Sequence, residues 1–592
     1  MSMMNVYMRM AMRNMNMLKT LLSAFMLLAL AASDSYGCTN VIVGKKASAD
    51  GSVMITYSSD SYGSFGWLRH YKAGKHAEGE TVSCYDYETL NYLGDIPQVG
   101  ETYNVVGHIN EFQVSITETT WGGREELWNN DSTAILDYGS LMFVTLQRAR
   151  TAQEAIRIFV DLADTHGYRS EGESITFADK NEVWIMDCIG RPKGQRGIVW
   201  VATRIPDDCI AAHANQARTH KFMHSKRAMA YGSKTAAKFF SGKIKETSDY
   251  VLGAEPIVLY SPDVVKVARE MGYFNGKDED FDFANAYNPL DFGGARYCEA
   301  RAWSFFNRFV SGMDKYITYA SGADLEAEPF AMYMKPDRKV SLQDVREAMR
   351  DHYEGTPFDT QTDCGSGIWN MPYRPTPLSF KVDGEEYFNE RPISTQQPAT
   401  TMICQMRGWL PDYIGGIIWW GEDDANMVAY TPMYCSVTEV PHCYSSNGAD
   451  AVTFSFRNAY WMQNWVSNMV YPRYSMLFPE LEKVRNRLER DYDSLTEKTD
   501  LEASGMDKED AIRHLTAYSS RTAEGMMDEW MRLAQRLIVK YNDMAIKAED
   551  ENGKYLLTPG GSPSKVERPG FSEDYARKII RETGDRYKVR KK

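Results

Sequence analysis

The sequence has few histidines and no cysteine or histidine pattern typical of a metal site. Its 592 residues include 10 histidines and 9 cysteines. Neither Cys-x-x-Cys nor His-Glu-x-x-His occurs, and only His220 and His224 are four residues apart. Zinc sites need such closely spaced ligands. The sequence therefore predicts no metal ion, and nothing in it indicates another cofactor.

The chain has fewer basic than acidic residues. There are 67 basic and 80 acidic residues, which give a formal net charge of −13. Proteins that bind nucleic acid usually carry a basic face, so we exclude nucleic acid as a partner. Apolar residues make up 43% and charged residues 25% of the chain, a balance typical of a folded, soluble protein and not of a disordered or fibrous one.

Long apolar runs are also missing. The one clear run, residues 21–32, has Ser23 as its only polar member and is shorter than the about 20 residues that a membrane-spanning helix needs. The charged residues before it are all basic: Arg9, Arg13 and Lys19. This arrangement is typical of a secretory signal peptide. We therefore expect residues 1–37 to be removed and the mature protein to be periplasmic or extracellular, with no stable membrane insertion.

The expected cleavage places a cysteine at the new N-terminus. Ser35 and Gly37 are small residues three and one positions before Cys38, which suits signal peptidase, while Ala29 and Ala31 offer an earlier site. Cys38 then has three interpretations: a catalytic N-terminal nucleophile, the acylated cysteine of a lipoprotein, or a structural cysteine. Lipoprotein signals have a Leu-like residue where this chain has Ser35, which disfavours the second. An odd number of cysteines leaves at least one thiol outside any set of disulfides.

The hydrophobic periodicity predicts an α+β protein. Residues 39–43 and 52–57 are β-branched and apolar runs around an Asp-Gly turn, which predicts a hairpin whose first strand begins at the cysteine. Residues 133–166 have helical spacing with a break near Thr151. Residues 340–353 predict another helix, with Ser341 as its cap. Strands followed by helices and further strands favour a layered α+β enzyme over alternating βαβ units.

The C-terminal part has a different character. Residues 364–400 are rich in proline and predict mostly loop, and residues 415–420 predict a buried strand. Beyond them, apolar residues at helical spacing predict two long amphipathic helices packed on the main body. These residues are Leu481, Val484, Leu488, Tyr492 and Leu495, then Met526, Trp530, Leu533, Leu537, Tyr541 and Met544. We expect a main domain over residues 38–475 and a helical extension over residues 476–592.

A cysteine at a chain terminus has its own base. The free α-amino group lies within reach of the sulfur, directly or through one water molecule. Its unperturbed pKa is about 7.7–8.0, against about 8.5 for a thiol, so near neutral pH the amine can accept the thiol proton without a histidine. Such a nucleophile must be held rigidly, and the strand predicted directly after Cys38 meets that need.

Several segments carry a family resemblance. The opening Cys38-Thr-Asn-Val-Ile-Val-Gly-Lys-Lys-Ala-Ser-Ala-Asp-Gly-Ser52 resembles the dipeptidases of the N-terminal-nucleophile (Ntn) cysteine hydrolases. That family is related to penicillin V acylases, bile salt hydrolases and secernins. Further matches are Asn110-Glu111, Thr120-Trp-Gly-Gly-Arg-Glu-Glu126, Ile205-Pro-Asp207, Ala212-His-Ala-Asn-Gln-Ala-Arg218, Lys335-Pro-Asp337, Met349-Arg-Asp-His-Tyr-Glu-Gly-Thr356 and Asn468-Met-Val-Tyr-Pro-Arg-Tyr474. The resemblance implies the αββα sandwich of Ntn hydrolases, with added loops and C-terminal helices.

The resemblance also implies roles beyond the nucleophile. Related hydrolases hold the α-amine with an aspartate at the position of Asp60, for which a turn or surface aspartate is the alternative. They usually have an arginine three residues earlier, where this chain has Tyr57, a candidate substrate-binding residue. The stabilising role of that arginine is then absent or falls to another residue, such as Arg124 or Arg218.

Two more residues complete the candidate site. Asn215 is a candidate oxyanion donor, since an amide N–H directed at developing negative charge contributes about 3 kcal/mol; a loop-capping asparagine is the alternative. Arg124 can bind a substrate carboxylate with two parallel hydrogen bonds; a solvated arginine is the alternative. The predicted catalytic residues are therefore Cys38, Asp60 and Asn215, and the predicted substrate-binding residues are Arg124, Arg218 and Tyr57.

These observations predict an exported cysteine dipeptidase. Cys38 attacks the peptide bond of a short peptide, its α-amine acts as the general base, and a thioester forms as the acyl-enzyme. One alternative is an amide acylase of the same fold, acting on N-acyl amino acids, penicillins or bile salts. The other is a non-enzymatic binding lipoprotein anchored through Cys38. Small peptides are the expected partners, and a homo-oligomer is compatible with the sequence.

Overall fold

The structure, a computed structural model, describes residues 37–128, 131–243 and 250–590. The predicted signal peptide, residues 1–37, lies outside the described residues apart from Gly37. Of the described residues, 35% are helical and 23% lie in strands, which confirms the predicted mixture of helix and sheet. Within the described ranges, no helix combines the length and the apolar character that crossing a bilayer requires.

The strands are short and distributed over most of the chain. In chain order they are β1 (Asn40–Val43), β2 (Val53–Asp60), β3 (His70–Tyr71), β4 (Gly74–Lys75), β5 (Thr81–Tyr85), β6 (Tyr92–Pro97), β7 (Glu101–Thr102), β8 (Val105–Val106), β9 (Ile109–Asn110), β10 (Ser115–Gly122), β11 (Gly172–Ala178), β12 (Val183–Gly190), β13 (Ile198–Ile205), β14 (Ile210–His213), β15 (Arg227–Ala230), β16 (Ile257–Tyr260), β17 (Tyr333–Met334), β18 (Ser379–Val382), β19 (Glu385–Phe388), β20 (Pro398–Met406), β21 (Gly416–Gly421), β22 (Thr431–Tyr434), β23 (Ile546–Lys547) and β24 (Val566–Glu567).

Among the described residues, the two longest α-helices lie in the C-terminal part of the chain. They are α1 (Tyr138–Leu146), α2 (Ala152–His166), α3 (Lys234–Phe240), α4 (Val264–Glu270), α5 (Phe283–Tyr287), α6 (Ala300–Asn307), α7 (Ile317–Ala320), α8 (Leu342–Met349), α9 (Asp412–Gly415), α10 (Ala459–Val470), α11 (Tyr474–Ser504), α12 (Lys508–Tyr541) and α13 (Glu573–Thr583). The hydroxyl of Thr151 accepts a hydrogen bond from the first turn of α2, and Ser341 caps α8 in the same way. The cap at Ser341 is predicted from the sequence, and Thr151 lies at the predicted break in the helical pattern.

The start of the described chain lies inside an antiparallel sheet. Seven strands have the order β17-β14-β1-β2-β20-β21-β22. In β1, Ile42 lies opposite Ile55 of β2, and Val41 lies opposite Ala212 of β14. Gly51 has a φ of 88° in the turn between β1 and β2, a conformation that glycine adopts without strain. The predicted hairpin is confirmed, and both edges of its first strand are paired.

A second sheet packs against the first. Its nine strands have the order β15-β16-β13-β12-β11-β10-β9-β8-β3, and all neighbours are antiparallel except β15 and β16. The two sheets meet where β1 and β2 contact β10 and β11. Polar groups join them there: the side-chain amide of Asn40 donates to the Glu118 carbonyl at 2.8 Å, and the His213 ring lies 2.7 Å from the hydroxyls of both Thr119 and Thr176. Hydrogen bonds between side chains and backbone therefore fix the two sheets relative to each other at this end.

Helices cover the outer faces of the sheets. Helix α2 contacts β11 and β13, α6 contacts β14, and α11 and α12 pack on each other and on β22. The helix α11 begins at Tyr474 and continues through Pro479. The proline removes one backbone hydrogen bond, but the buried side chains of Leu477, Leu481 and Leu488 pack on the body and sustain the helix.

Two regions contain more regular structure than the sequence predicts. The proline-rich residues 364–400 include the hairpin of β18 and β19, whose side chains are largely exposed. Residues 573–583 form the helix α13, in which no residue is buried. No residue of either element is buried, so packing on the main body does not define them.

The packing of α12 on the body can be tested with two adjacent residues. Leu537 is fully buried, whereas Ile538 is 51% exposed. Leu537→Ala removes packed methyl groups and should destabilise the protein by about 2–5 kcal/mol. Ile538→Ala should change stability by less than about 0.5 kcal/mol. Thermal unfolding followed by circular dichroism compares the two variants, and equal shifts in Tm would contradict this packing.

Candidate active site

The candidate nucleophile lies directly before β1, in the interface between the two sheets. Cys38 is 8% exposed and belongs to the apolar core that contains Val41 and Ile55. The next residue, Thr39, forms an isolated bridge with Ser58 of β2. Because β1 is hydrogen-bonded on both edges, the position of the sulfur is fixed by the sheet and not by a loop. This is the rigid placement that the sequence predicts for the thiol.

The thiol of Cys38 is surrounded by acidic and phenolic groups. Its sulfur lies 3.8 Å from the hydroxyl of Tyr57 and 3.8 Å from Oε1 of Glu118, and that hydroxyl donates to the same oxygen at 2.5 Å. Burial raises the pKa of the Cys38 thiol well above its usual value, and the negative charges of Glu118 and Asp60 raise it further. The Tyr57 hydroxyl acts in the opposite direction. The thiol is therefore neutral at physiological pH and needs a base to become a nucleophile.

Two buried carboxyl groups form a pair behind the thiol. Glu118 of β10 and Glu173 of β11 interact, because each affects the pKa of the other. Burial raises the pKa of Glu118 to about 7 and that of Glu173 well above its usual value, where the charge of Glu118 adds to the effect. The hydroxyl of Thr120 also donates to Glu173, at 3.0 Å. At neutral pH the pair retains at least one proton, because two adjacent buried carboxylates cannot both ionise readily.

An aspartate–arginine pair holds the backbone just before the thiol. The guanidinium of Arg391 donates through Nη2 to Oδ2 of Asp60 and to the carbonyl of Gly37. The Gly37 amide donates to the Asp60 carbonyl at 3.2 Å. Burial raises the pKa of Asp60 to about 6, although the charges of Arg391 and Arg301 act against this rise. The peptide bond between Gly37 and Cys38 therefore lies against a buried ion pair.

A second arginine joins the nucleophile to the predicted oxyanion residue. Nη1 of Arg301 donates to the carbonyl of Cys38 at 2.6 Å and to Oγ1 of Thr39 at 2.8 Å. Its Nη2 donates to Oδ1 of Asn215 at 2.8 Å and to the Ala214 carbonyl at 3.1 Å. Burial and the nearby charge of Arg391 lower the pKa of Arg301 to about 10, so the group remains cationic at neutral pH.

Four of the six residues selected from the sequence lie together. Cys38, Tyr57 and Asp60 belong to one cluster, and Arg301 connects Asn215 to it. Asn215 has a φ of 63°, and its side-chain amide donates to the Thr120 carbonyl. The cluster therefore contains residues from the segment that precedes β1, from β2 and from the segment that follows β14.

The other two predicted residues have different surroundings. Arg124 donates through Nε to the Ala286 carbonyl at 3.0 Å, and its guanidinium lies over the ring of Tyr273. Arg218 is buried, forms an ion pair with Glu299 at 3.2 Å and donates to the carbonyls of residues 212, 330 and 331. No described contact joins either arginine to Cys38 or Asp60. Their roles in substrate binding remain predictions.

Three residues of the cluster are not predicted from the sequence. Glu118 lies in β10, where a buried acid beside a thiol has no sequence pattern of its own. Arg301 and Arg391 are 263 and 331 residues away from the groups they contact, Cys38 and Asp60. The one available signal in the sequence is Tyr57, at a position where related hydrolases usually have an arginine. Its presence indicates that another residue must supply the cationic group. Among the described residues, no group of side chains suits a metal ion.

The chemistry of the cluster defines a class of enzyme. It contains one thiol, ionisable carboxyl groups and two cationic groups, which are the functional groups that a cysteine-dependent hydrolase uses. A comparison with protein families matches residues 37–487 to peptidase family C69. The chain therefore belongs to peptidase family C69. The prediction of an enzyme of the cysteine peptidase class is confirmed.

The relatives with curated names are dipeptidases. The chain is 23% identical over 459 residues to a probable dipeptidase of Latilactobacillus sakei, covering 74% of this chain and 81% of that protein. It is 24% identical over 431 residues to a probable dipeptidase of Salmonella dublin (69% and 84%), and 23% identical over 464 residues to dipeptidase A of Lactobacillus helveticus (75% and 84%). The predicted relation to the dipeptidases is confirmed.

One solved structure gives a partial match. It is penicillin V acylase from Agrobacterium tumefaciens, with 15% identity, a TM-score of 0.19, and coverage of 27% of this chain and 48% of that one. A match of this size supports no argument about the reaction.

The effect of Glu118 on the thiol can be measured directly. Glu118→Gln removes a negative charge 3.8 Å from the sulfur, so the pKa of Cys38 should fall. The measurement is alkylation of Cys38 by iodoacetamide between pH 6 and 10, followed by mass spectrometry of the peptide that contains this residue. The midpoint should move to lower pH. Glu182→Gln, which changes a carboxyl group with no described contact to Cys38, is the control and should leave the midpoint in place.

Proposed function

We propose that the protein is an exported dipeptidase that hydrolyses short peptides through Cys38 as an N-terminal nucleophile. The observation that carries the proposal is the position of the Gly37–Cys38 peptide bond. Its carbonyl accepts a hydrogen bond from Arg391, and the amide of Gly37 donates to the backbone carbonyl of Asp60. Cleavage of that bond leaves an α-amino group on Cys38 beside a buried carboxylate. The names of the curated relatives support short peptides as substrates.

The surroundings of the thiol favour the α-amine as its base. Burial and two nearby acids keep the thiol protonated, and no described histidine contacts the sulfur. His108 lies near Tyr57, but burial lowers its pKa to about 4, and its Nδ1 is bonded to the Ile116 carbonyl at 2.9 Å. An α-amine, with an unperturbed pKa of about 7.7–8.0, is deprotonated often enough at neutral pH to accept the proton.

The reaction then follows from the groups in place. The amine of Cys38 takes the thiol proton as the sulfur attacks the substrate carbonyl carbon. The oxyanion that forms lies near the cationic Arg301 and the second amide N–H of Asn215. The amine next gives its proton to the leaving nitrogen, the C–N bond breaks and a thioester remains. Water, deprotonated by the same amine, attacks the thioester, releases the acid and restores the thiol.

Asp60 and Arg391 influence the protonation of the Cys38 α-amino group. The carboxylate of Asp60 attracts the ammonium form, while Arg391 prevents Asp60 from carrying an unpaired charge in the core. Arg391 and Arg301 thereby supply the cationic groups expected from the missing arginine at position 57. The two packed sheets with helices outside them support the proposal of an αββα sandwich, in which the nucleophile lies at the end of a central strand.

Removal of the thiol tests the nucleophile. Cys38→Ala should reduce the turnover of free dipeptides by at least about 10³-fold, because no other group in the cluster forms the thioester. Cys84→Ala, in the hairpin of β5 and β6, changes a buried cysteine with no described contact to the cluster and should retain turnover. A coupled assay of released amino acids compares the variants. Hydrolysis of N-acyl amino acids without hydrolysis of dipeptides would instead support the acylase alternative.

The base can be tested by comparing two forms of the protein. The form that begins at Cys38 should be active, and the form that retains Gly37 should be inactive, because an amide nitrogen cannot accept the thiol proton. For the active form, kcat/KM should rise between pH 6 and 8, as the ammonium group loses its proton and Asp60, with a pKa of about 6, is already ionised. Equal activity of both forms, or a flat profile from pH 5 to 9, would contradict the amine as base.

A further inference from the structure

Two buried carboxyl groups beside the thiol lack a cationic partner. Glu118 and Glu173 are fully buried, and no basic side chain in the described part of the chain forms an ion pair with either. The charge of Glu88, from the loop between β5 and β6, adds to the burial that raises the pKa of Glu118. A buried charge without a partner is costly. The pair therefore favours a cation that these residues do not supply.

The same carboxyl groups have oxygens that receive no hydrogen bond. Oε1 of Glu118 accepts from Tyr57, and Oε1 of Glu173 accepts from Thr120 at 3.0 Å and from Ser170 at 3.1 Å. Oε2 of each is buried and has no donor among the amide, hydroxyl and basic groups that the structure describes. The proton that the pair retains at neutral pH can occupy this position, and a donor with its own positive charge can replace it.

The two arginines of the cluster have other partners. Arg301 donates to the carbonyl of Cys38, and Arg391 donates to Asp60. Glu118 instead contacts the sulfur, with its Oε1 atom 3.8 Å from Sγ of Cys38. The acidic group therefore lies on the sulfur side of the nucleophile, where the reacting carbon of a substrate must arrive.

The position beside the sulfur matches one atom of a peptide substrate. Attack brings the substrate carbonyl carbon to about 3–3.5 Å from the sulfur. The α-nitrogen of the same residue lies about 2.5 Å from that carbon, given N–Cα and Cα–C bonds of about 1.46 and 1.52 Å. Oε1 of Glu118, 3.8 Å from the sulfur, is then within hydrogen-bonding reach of this nitrogen. The nitrogen is an ammonium group only where the attacked residue is the first of the peptide.

We propose that Glu118 binds the free α-ammonium group of the peptide substrate, with Glu173 as a second acceptor. The proposal rests on the proposed dipeptidase function and deepens it, because it assigns the residue that selects a free N-terminus. Hydrogen bonds between an ammonium group and a carboxylate are charge-assisted and about twice as strong as neutral ones. The ammonium group also favours the ionised form of the pair, so one positive charge meets one negative charge.

This contact sets the position of cleavage. Each residue added before the attacked one moves the ammonium group by up to about 3.3–3.6 Å, beyond the reach of Glu118. The enzyme then hydrolyses the bond that follows the first residue of a peptide. An N-acyl amino acid has no ammonium group and leaves the acidic pair without its cation. The contact therefore favours free peptides over the substrates of an amide acylase.

The test compares Ala-Ala with N-propionylalanine, in which a hydrogen atom replaces the ammonium group. The two compounds are otherwise the same, so added bulk does not separate them. The wild type should prefer Ala-Ala by at least tenfold in kcat/KM. Glu118→Gln should lower this ratio by at least tenfold, chiefly through a higher KM for Ala-Ala. Glu118→Asp keeps the charge on a shorter side chain and should give an intermediate ratio.

Glu422→Gln is the matched control. Glu422 is also fully buried, and within the described ranges its Oε2 atom has no hydrogen-bond partner and no contact joins it to Cys38. Its ratio should equal that of the wild type, because folded fraction and thiol reactivity affect both substrates alike. A wild-type ratio in Glu118→Gln, or in Glu118→Asp where Glu118→Gln does not fold, would overturn the ammonium site and leave the dipeptidase function intact. A wild type that prefers N-propionylalanine would overturn both proposals.

A separate measurement covers failure of the proposed function. If the wild type hydrolyses neither compound, the dipeptidase proposal fails, and protection of Cys38 against iodoacetamide tests the ammonium site. Ala-Ala should slow the alkylation of the wild type, whereas N-propionylalanine should not, and Glu118→Gln should abolish the difference. Equal protection by both compounds, or protection by neither, would overturn the site.

Discussion

The active-site cluster depends on one buried ion pair, between Asp60 and Arg391. Asp60 is the last residue of the central strand β2, and Arg391 lies in a loop more than three hundred positions later in the chain. The pair therefore joins two distant segments next to the candidate nucleophile. A charge buried in a protein interior is tolerated only with a partner, and removing one partner costs about 3–5 kcal/mol. The same guanidinium holds the carbonyl of Gly37. Folding of the core and positioning of Cys38 are therefore coupled.

The environment of the thiol supports the proposal that a terminal amine acts as its base. Many cysteine enzymes activate their nucleophile with a nearby cation that lowers the thiol pKa. Here burial and the carboxyl groups of Glu118 and Asp60 raise that pKa, and the cations contact the backbone and the aspartate instead. In the proposed mechanism, surroundings that resist thiolate formation keep the chain inactive until cleavage before Cys38 supplies the α-amine as a base.

Much of the local structure follows from the sequence, whereas the cluster does not. The hairpin that begins at Cys38, the helix break at Thr151 and the two long C-terminal helices each have a pattern of apolar spacing, turn residues or caps within a short window. Arg301 and Arg391 have no such local sequence pattern, because the packing of a helix and a loop against β1 and β2 determines which groups they contact. In the sequence, Glu118 cannot be distinguished from an ordinary strand residue, because only the packing of the two sheets brings it close to the thiol. Long-range electrostatic contacts of this kind depend on the fold, and no single sequence encodes them as a pattern.

The central claim is that the functional protein carries a free cysteine at its N-terminus. Mass spectrometry of the N-terminal peptide of the exported, active enzyme tests this most directly. The account predicts that the chain begins at Cys38, with an unmodified α-amino group and an unmodified thiol. An active enzyme that retains residues before Cys38, or one whose cysteine carries an acyl group on its nitrogen or a lipid on its sulfur, would contradict the account.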